Sequence, residues 1–263
     1  MVEVVVVNYR TPHDLLAFTR SLYRSKHDCE FTLTIFNVDP TPEDLRVGFS
    51  LEEEHYNTVH MHSRTNIGYA GAVNWALKVG GPGFVPPYIA IFNADTRLRD
   101  GVLDGCLQAL EDNPDWGAVG PRQYDDRNRL THAGIFGTLD KPQHRGWLAA
   151  NDGRYQDVKE AVTISGSAYF TRRSLWEEMT ECPLYVEAAP EAVGAFLPTP
   201  HFYEETYYSY HLQAHGYKVM YLGTEGMIHL HGKATPPGTA TKLMKTSQTI
   251  FRDACDKHGI RHD

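Results

Sequence analysis

Between residues 3 and 112, short runs rich in Val, Ile, Phe and Tyr alternate with stretches of helical periodicity, and the connections between them are brief. The pattern predicts strand 3–8, helix 12–25, strand 31–38, helix 42–53, strand 57–62, helix 70–79, strand 88–92 and helix 100–112. Val4-Val5-Val6-Val7 and Tyr88-Ile89-Ala90-Ile91-Phe92 are apolar on both faces, as strands covered on both sides must be. A strand joined to the next through a helix pairs with it in parallel, because the helical crossover returns the chain to the end at which the first strand began. The expected fold class is therefore α/β, with a mostly parallel central sheet flanked by helices.

Ligands of such sheets bind in the crevice beyond the carboxyl ends of the strands. Three connections reach that rim here, Asn8-Tyr9-Arg10, Asp39, and Asn93-Ala94-Asp95-Thr96. A carboxylate that stops a buried strand, as Asp95 does, is placed to handle a ligand or to cap the following turn. Asp39 precedes Pro40-Thr41-Pro42 and also suits a turn before a proline-led helix. Upstream, Asn66-Ile67-Gly68-Tyr69-Ala70-Gly71-Ala72-Val73-Asn74 reads as a helix start whose small residues permit close approach of a phosphate or of another backbone.

The ordered series Val4 to Arg10, Val38-Asp39, Asn66-x-Gly68-x-Ala70-Gly71-x-x-Asn74 and Asn93-Ala94-Asp95 resembles the inverting GT-A glycosyltransferases of family two. The likeness is to their rhamnosyltransferase-like branch, whose metal motif is often Asn-x-Asp, and it runs from about residue 3 to about residue 235. It implies the GT-A fold, a Rossmann-like nucleotide-diphospho-sugar transferase architecture. It further implies that Asp39 hydrogen-bonds a nucleobase and that Asp95 holds Mg²⁺ or Mn²⁺ against the donor's two phosphates. Asn8, Tyr9, Arg10, Asn66, Gly68, Gly71, Asn74 and Asn93 fall in the donor-binding set on the same grounds. Asn93 stands where a double-Asp motif would place a second carboxylate.

The resemblance extends into the second half. Asp125-Asp126-Arg127-Asn128 has the composition of a hairpin turn. Thr163-Ile164-Ser165-Gly166-Ser167-Ala168 resembles the family's small-residue segment beside the sugar, which adds Gly166 to the donor-binding residues, and Arg172-Arg173 begins a basic helix. Glu204-Glu205, eleven residues before Gly216-Tyr217, matches the family's acidic pair at a helix head, where the second acid is the catalytic base. That makes Glu205 the expected base, with Glu204 its alternative, although two carboxylates also complement a helix dipole. In Met227-Ile228-His229-Leu230-His231-Gly232-Lys233, strand alternation puts both histidines on one face. His229 best matches the family's closing metal ligand, His231 is the second candidate, and Lys233 joins the donor-binding set. The family pattern breaks over 182–193, where Cys182-Pro183-Leu184 to Glu191-Ala192 intervenes.

The formal net charge of −8 argues against general nucleic-acid binding, which needs a basic face. The start, Met1-Val2-Glu3, lacks the marks of a secretory signal, no apolar run approaches ~20 residues, and the four cysteines are scattered, so the chain reads as a soluble, reduced, cytoplasmic protein. With no linker or repeat, one catalytic domain over 1–240 is expected. Its first half, 1–115, would hold the nucleotide sugar and 116–240 would form the acceptor side, followed by a C-terminal helix in 241–263. Leu243, Met244, Ile250 and Phe251 would dock that helix. The expected activity moves a sugar, from a UDP- or dTDP-linked donor in the first instance, to a hydroxyl on a glycan, lipid, protein or small molecule. The competing readings are a nucleotidyltransferase on a related fold and a non-catalytic nucleotide-sugar or glycan-binding module.

Overall fold

A computed structural model describes residues 1–79, 85–138, 141–180, 194–231 and 240–260. The 182–193 segment and Lys233 lie outside the described residues. The first half runs β1 (Val2–Asn8), α1 (Pro12–Arg24), β2 (Phe31–Val38), α2 (Pro42–Glu54), β3 (Thr58–Ser63), α3 (Gly68–Val79), β4 (Tyr88–Asn93), β5 (Thr96–Arg97) and α4 (Val102–Asp112). The predicted elements appear within two residues at each end. β1 pairs in parallel with both β2 and β4, and β2 with β3, so the ends of β1, β2 and β4 share one rim.

The second half adds β6 (Trp116–Tyr124), β7 (Leu130–His132), β8 (Ile135–Thr138), β9 (Lys141–His144), β10 (Val158–Glu160), β11 (Ala168–Arg172), α5 (Arg173–Thr180), α6 (Glu204–Ala214), β12 (Lys218–His229) and α7 (Ala240–His258). The main sheet has the order β10-β12-β6-β11-β4-β1-β2-β3, and β11 runs antiparallel between β4 and β6. β6 and β7 meet at the Asp125 turn, where the Asp125 carboxylate accepts from the Arg127 and Arg129 backbone N–H groups at 3.0 and 2.8 Å.

Alternation along the central strands feeds two cores. Val5, Val7, Ile89 and Ile91 pack with Val73, Ala76 and Tyr208 on one face of the sheet, while Val4, Val6, Ala90 and Phe92 pack with Leu15, Phe18 and Leu103 on the other. Fully burying one such side chain contributes about 1.5–3 kcal/mol.

The two arginines at the start of α5 are satisfied internally, and the docking face of α7 needs correction. Arg172 donates to the carbonyls of Trp116, Leu110 and Asn113, closing the end of α4, and buried Arg173 pairs with buried Glu3, whose other oxygen accepts from Thr34 at 3.1 Å. In α7 the docking stripe is Ser247, Phe251, Ala254 and Cys255 against Tyr203 and Tyr207, and Met244 is exposed. The Ser247 hydroxyl donates to the His201 carbonyl and accepts from its N–H at 3.2 Å, so α7 braces the approach to α6. Among the described residues no helix is long and apolar enough to cross a membrane, and Cys29, Cys106 and Cys255 are free thiols.

Candidate active site

Strand β4 ends in a turn built to hold Asp95. Thr96 Oγ1 donates to the Asn93 carbonyl at 2.8 Å, and Arg97 Nη1 donates to the carbonyls of Ala94 and Thr96 at 3.0 and 2.7 Å. Asp14 fixes that guanidinium from α1 at 2.7 Å. The Asn93 N–H reaches the Ser167 carbonyl at 3.2 Å, which lays Ser165-Gly166-Ser167 beside the turn.

The register of β12 brings in a histidine from a distant part of the chain. After a shift in pairing between Leu222 and Gly226, β12 runs on beside β6 until Met227 faces Gln123, and its last residues pair with β5, Ile228 with Arg97 and His229 with Thr96. His229 Nε2 thereby comes to 3.4 Å from Asp95 Oδ1, and both side chains are largely buried. His229 Nδ1 lies 2.9 Å from Gln123 Oε1, an acceptor, so Nδ1 carries a hydrogen and Nε2 is the nitrogen that faces the carboxylate. Gln123 is held in turn by the Ser167 hydroxyl at 2.7 Å, and its own buried Nε2 has no hydrogen-bond partner among the described residues. Burial pushes the Asp95 carboxyl up, but the His229 bond and the charges of His229 and His231 outweigh it and hold the group below its ordinary value.

Among the described residues, no group of three or more His, Cys, Asp or Glu side chains is arranged to hold a metal alone. His231 lies beside the pair, its ring 5.2 Å from that of His229. It follows the end of β12 with φ +50°, which breaks the strand alternation, and its ring packs edge-on against Trp147, 5.0 Å between centroids. One carboxylate and one imidazole nitrogen fit a divalent cation whose other positions are filled by phosphate oxygens and water.

The acidic pair opens α6, and its two members face different partners. Glu204 is buried at the first position of α6, where the nearby backbone N–H groups of Glu204 and Phe202 favour its ionised form, and no side chain caps the helix at Tyr203. Glu205 lies with its carboxylate against Gly166 of the small-residue segment, where the backbone N–H groups of Gly166 and of Glu205 itself favour its ionised form. A Cβ on Gly166 would stand 3.2 Å from Glu205 Cδ, which explains a glycine there. Burial raises both carboxyls, Glu204 well above its ordinary value because Glu205 adds its charge. Tyr69 donates its hydroxyl to the Gly166 carbonyl, and burial together with Glu205, Glu204 and Asp95 keeps that hydroxyl protonated.

On the other side of the rim Arg10 and Asp39 form an ion pair, Nη2 to Oδ2 at 2.6 Å, and Arg10 Nε donates to the Asp39 carbonyl at 3.1 Å. Asn66 accepts from the Gly68 N–H at 2.9 Å and sets the start of α3, where Gly68 adopts φ +73° and Gly71 is buried. Asn93 is half-buried at the end of β4, and Tyr9 packs on the core beneath the Arg10 guanidinium.

Two residues grouped with the donor site are committed elsewhere. Asn8 is fully buried, donating to Asn37 and Asp44 at 2.7 and 2.9 Å and accepting from Thr11, so it ties β1 to the head of α2. Asn74 donates to the Phe196 carbonyl at 2.8 Å and accepts from the Phe196 N–H at 3.1 Å, clamping the chain ahead of α6. Asn74→Ala should therefore act on the fold, lowering stability by about 2–3 kcal/mol in denaturant titration, since it leaves a buried N–H and a buried C=O unpaired. A loss below about 0.5 kcal/mol would show that the clamp is dispensable.

Seven described non-glycine residues have positive φ, and five of them, Arg10, Asp39, Phe202, Tyr203 and His231, border this site. Each such backbone costs roughly 1–2 kcal/mol and persists only where its surroundings enforce it. Sequence reasoning missed Gln123, Tyr69, His132 and Trp147. His132 accepts from the Ser165 N–H at 3.4 Å, and burial, aided by His144 and His229, lowers its imidazole to about 3, so it stays neutral. Tyr69 occupies an unspecified position of the Asn66–Asn74 motif on α3, and the other three lie in no motif, Gln123 and His132 reaching the site through strand pairing between distant segments.

No family model and no curated protein matches the sequence. Solved structures do. The mannosyltransferase PcManGT from Pyrobaculum calidifontis, in complex with GDP-Man and Mn²⁺, superposes with a TM-score of 0.67 at 14% identity over 97% of this chain and 64% of its own. GalNAc-T7 with UDP, GalNAc and Mn²⁺ gives 0.67 at 10% identity over 96% of this chain and 50% of its own. S. aureus TarS 1–349 gives 0.58 at 14% identity, covering 93% and 63%. The chain thus spans between half and two thirds of the length of these structures. A parallel β3-β2-β1-β4 sheet extended by β11, β6 and β12, shared with these proteins across nearly the whole chain, is the GT-A glycosyltransferase fold.

Proposed function

We propose that the chain is an inverting, metal-assisted glycosyltransferase that moves a sugar from a nucleoside-diphosphate donor, UDP- or dTDP-linked, to an acceptor hydroxyl. The observation that carries this reading is convergence. The Asn93–Asp95 turn and the Gln123 that orients His229 both hydrogen-bond Ser167, and the Glu205 carboxylate lies against the neighbouring Gly166. Solved proteins of this fold carry Mn²⁺ with GDP-Man or with UDP. The family-two, rhamnosyltransferase-like assignment belongs to the same proposal and is supported by the order of the motifs through Asn93-Ala94-Asp95.

In this reading Asp95 and His229 hold Mg²⁺ or Mn²⁺ together with the donor phosphates, and Asp39 accepts from the base. The cation, when bound, offsets the charge that builds on the departing nucleoside diphosphate. Glu205 takes the proton of the acceptor hydroxyl, whose oxygen attacks the anomeric carbon opposite the leaving group. A raised carboxyl suits that work, because it binds the proton more strongly than an ordinary glutamate while remaining able to release it. Residues 1–115 serve the nucleotide sugar and 116–240 the acceptor, in a cytoplasmic protein whose thiols are reduced.

The test is a panel of UDP-, dTDP- and GDP-sugars incubated with Mn²⁺, with Mg²⁺ and with excess EDTA, scored for transfer and for donor hydrolysis. Turnover on at least one donor, lost in EDTA, is expected. Full activity in EDTA removes the metal from the proposal, and no turnover on any donor with intact donor binding leaves a binding module.

A further inference from the structure

We propose that Trp147 is the platform on which the acceptor lies, and that the acceptor is a sugar ring of a glycan rather than a lipid, a protein or a small alcohol. The inference rests on the glycosyl transfer proposed above and adds the class of acceptor, which the placement of Asp95, His229 and Glu205 leaves open. Its starting point is the flank of the site that the donor does not use. Arg10 and Asp39 follow β1 and β2, on one side of β4, whereas β11, β6 and β12 lie on the other. A donor whose base meets Asp39 and whose phosphates reach Asp95 covers the first flank, so the acceptor approaches over the second.

Trp147 stands on that second flank, in a turn over residues 145–148 that holds it out of the core. The backbone fastens the turn to β7 and the chain after it. The Leu148 N–H donates to the Leu130 carbonyl at 2.8 Å, the Leu130 N–H to the Ala149 carbonyl at 2.8 Å, and the Arg145 N–H to the Gly134 carbonyl at 3.1 Å. Both neighbours of Trp147 are left-handed, Gly146 at φ +65° and Leu148 at φ +60°. Glycine takes that backbone freely, and a Cβ at Gly146 would stand 2.8 Å from the Tyr155 ring, but leucine is strained there and keeps the conformation only because its surroundings enforce it. The result is a tryptophan that is 43% exposed, while the other three are buried or half-buried. Rings connect it to the site. His144 and His231, both exposed, meet the indole edge-on at 5.5 and 5.0 Å between centroids, and His231 is 5.2 Å from His229, the partner of Asp95. One imidazole therefore stands between the indole and the Asp95–His229 pair.

A sugar ring has faces of C–H groups and a girdle of hydroxyls near its plane, so it is matched by a flat apolar surface with hydrogen-bonding groups at the edge. The indole supplies the surface. Among the described residues its N–H has no hydrogen-bond partner, which leaves a donor for a hydroxyl, and the two imidazoles add polar nitrogens beside it. The alternatives fit less well. An acyl chain needs a wide apolar surface and an anionic membrane needs a basic one, whereas the exposed neighbours of the indole are two imidazoles and Leu148, on a chain of formal net charge −8. A peptide side chain or a small alcohol brings no flat C–H face. Contact with the indole also fixes the plane of the acceptor ring, and with it the direction in which its hydroxyls project.

Acceptor kinetics of the full chain test this, with the donor selected by the panel above. The acceptors are methyl glycosides and disaccharides of glucose, galactose, mannose and N-acetylglucosamine, a peptide containing serine and threonine, and 1-octanol. Transfer to at least one sugar is expected, and Trp147→Ala should raise the KM for that sugar about ten- to a hundredfold while the donor Kd, measured by calorimetry, stays the same. Trp147→Phe keeps a flat face and loses the N–H, so it should recover part of the affinity. A merely structural tryptophan would lower the unfolding midpoint and leave the acceptor KM where it was. Titrating the sugars into the chain with Mn²⁺ and the matching nucleoside diphosphate should also shift tryptophan emission, and Trp147→Phe should remove the shift, because the other tryptophans are not exposed. Transfer to the peptide or to octanol but to no sugar, or an unchanged acceptor KM in folded Trp147→Ala, overturns the inference and leaves glycosyl transfer standing. Donor hydrolysis with neither transfer nor an emission shift for any sugar overturns it as well. Absence of both transfer and hydrolysis with every donor overturns the proposed function, and the platform with it.

Discussion

Asp95→Ala should lower kcat/KM for sugar transfer by roughly a thousandfold or more, because several kcal/mol of charge stabilisation at the leaving diphosphate are lost with the cation. The fold should survive, since the turn that carries Asp95 is fastened by Thr96, by Arg97 and by Asp14, and not by the Asp95 carboxylate. Two further variants sharpen the test. Asp95→Asn keeps the size and should be nearly as inactive, because a neutral amide is a poor ligand for a hard cation. Gln123→Leu removes the partner that orients His229, and it should weaken apparent Mn²⁺ affinity by about ten- to a hundredfold while activity recovers at saturating metal. Near-normal turnover by folded Asp95→Ala, in Mn²⁺ or in EDTA, would exclude Asp95 from the reaction.

The parallel half of the sheet was legible because strands such as β1 and β4 are buried on both faces and leave uninterrupted apolar runs, while helices α1, α2 and α4 keep an apolar stripe. What lay beyond local pattern was partnership. An asparagine that accepts from a backbone N–H and one that faces a ligand look alike in sequence, which is why Asn8 and Asn74 were grouped with the donor site. The left-handed turn at His231 takes that residue out of the strand alternation, although its ring stays 5.2 Å from that of His229. Gln123 could have been suspected only by knowing that β6 and β12 are neighbours. The Arg172-Arg173 pair had a sequence signal, two cations at a helix start where the dipole disfavours them, which already called for buried acceptors such as Glu3 and the carbonyls ending α4.

Glu205→Gln should abolish transfer by about 10²–10⁴-fold in kcat and leave donor affinity nearly unchanged. The glutamine amide matches the carboxylate in size and still offers one oxygen to the Gly166 N–H, so the packing of α6 against the small-residue segment is kept and only the capacity to take a proton is removed. Glu204→Gln is the comparison. Its carboxyl lies near the backbone N–H groups of Phe202 and of Glu204 itself, whereas Glu205 is the member set against Gly166, so its loss should be milder in kcat. The pH profile supplies a second reading with a fixed sign. The base works as a carboxylate, and burial raises the folded-state Glu205 above its ordinary value, so kcat/KM should fall on acidification at a pH above the usual glutamate range of about 4.5. Because Glu204 is raised as well and the two carboxyls interact, that acid limb reports the pair, and the variants separate its members. Loss of activity in Glu204→Gln with Glu205→Gln active would move the base one residue back along α6. Activity in both would return the pair to the work of capping a helix whose first residues have no other side-chain cap.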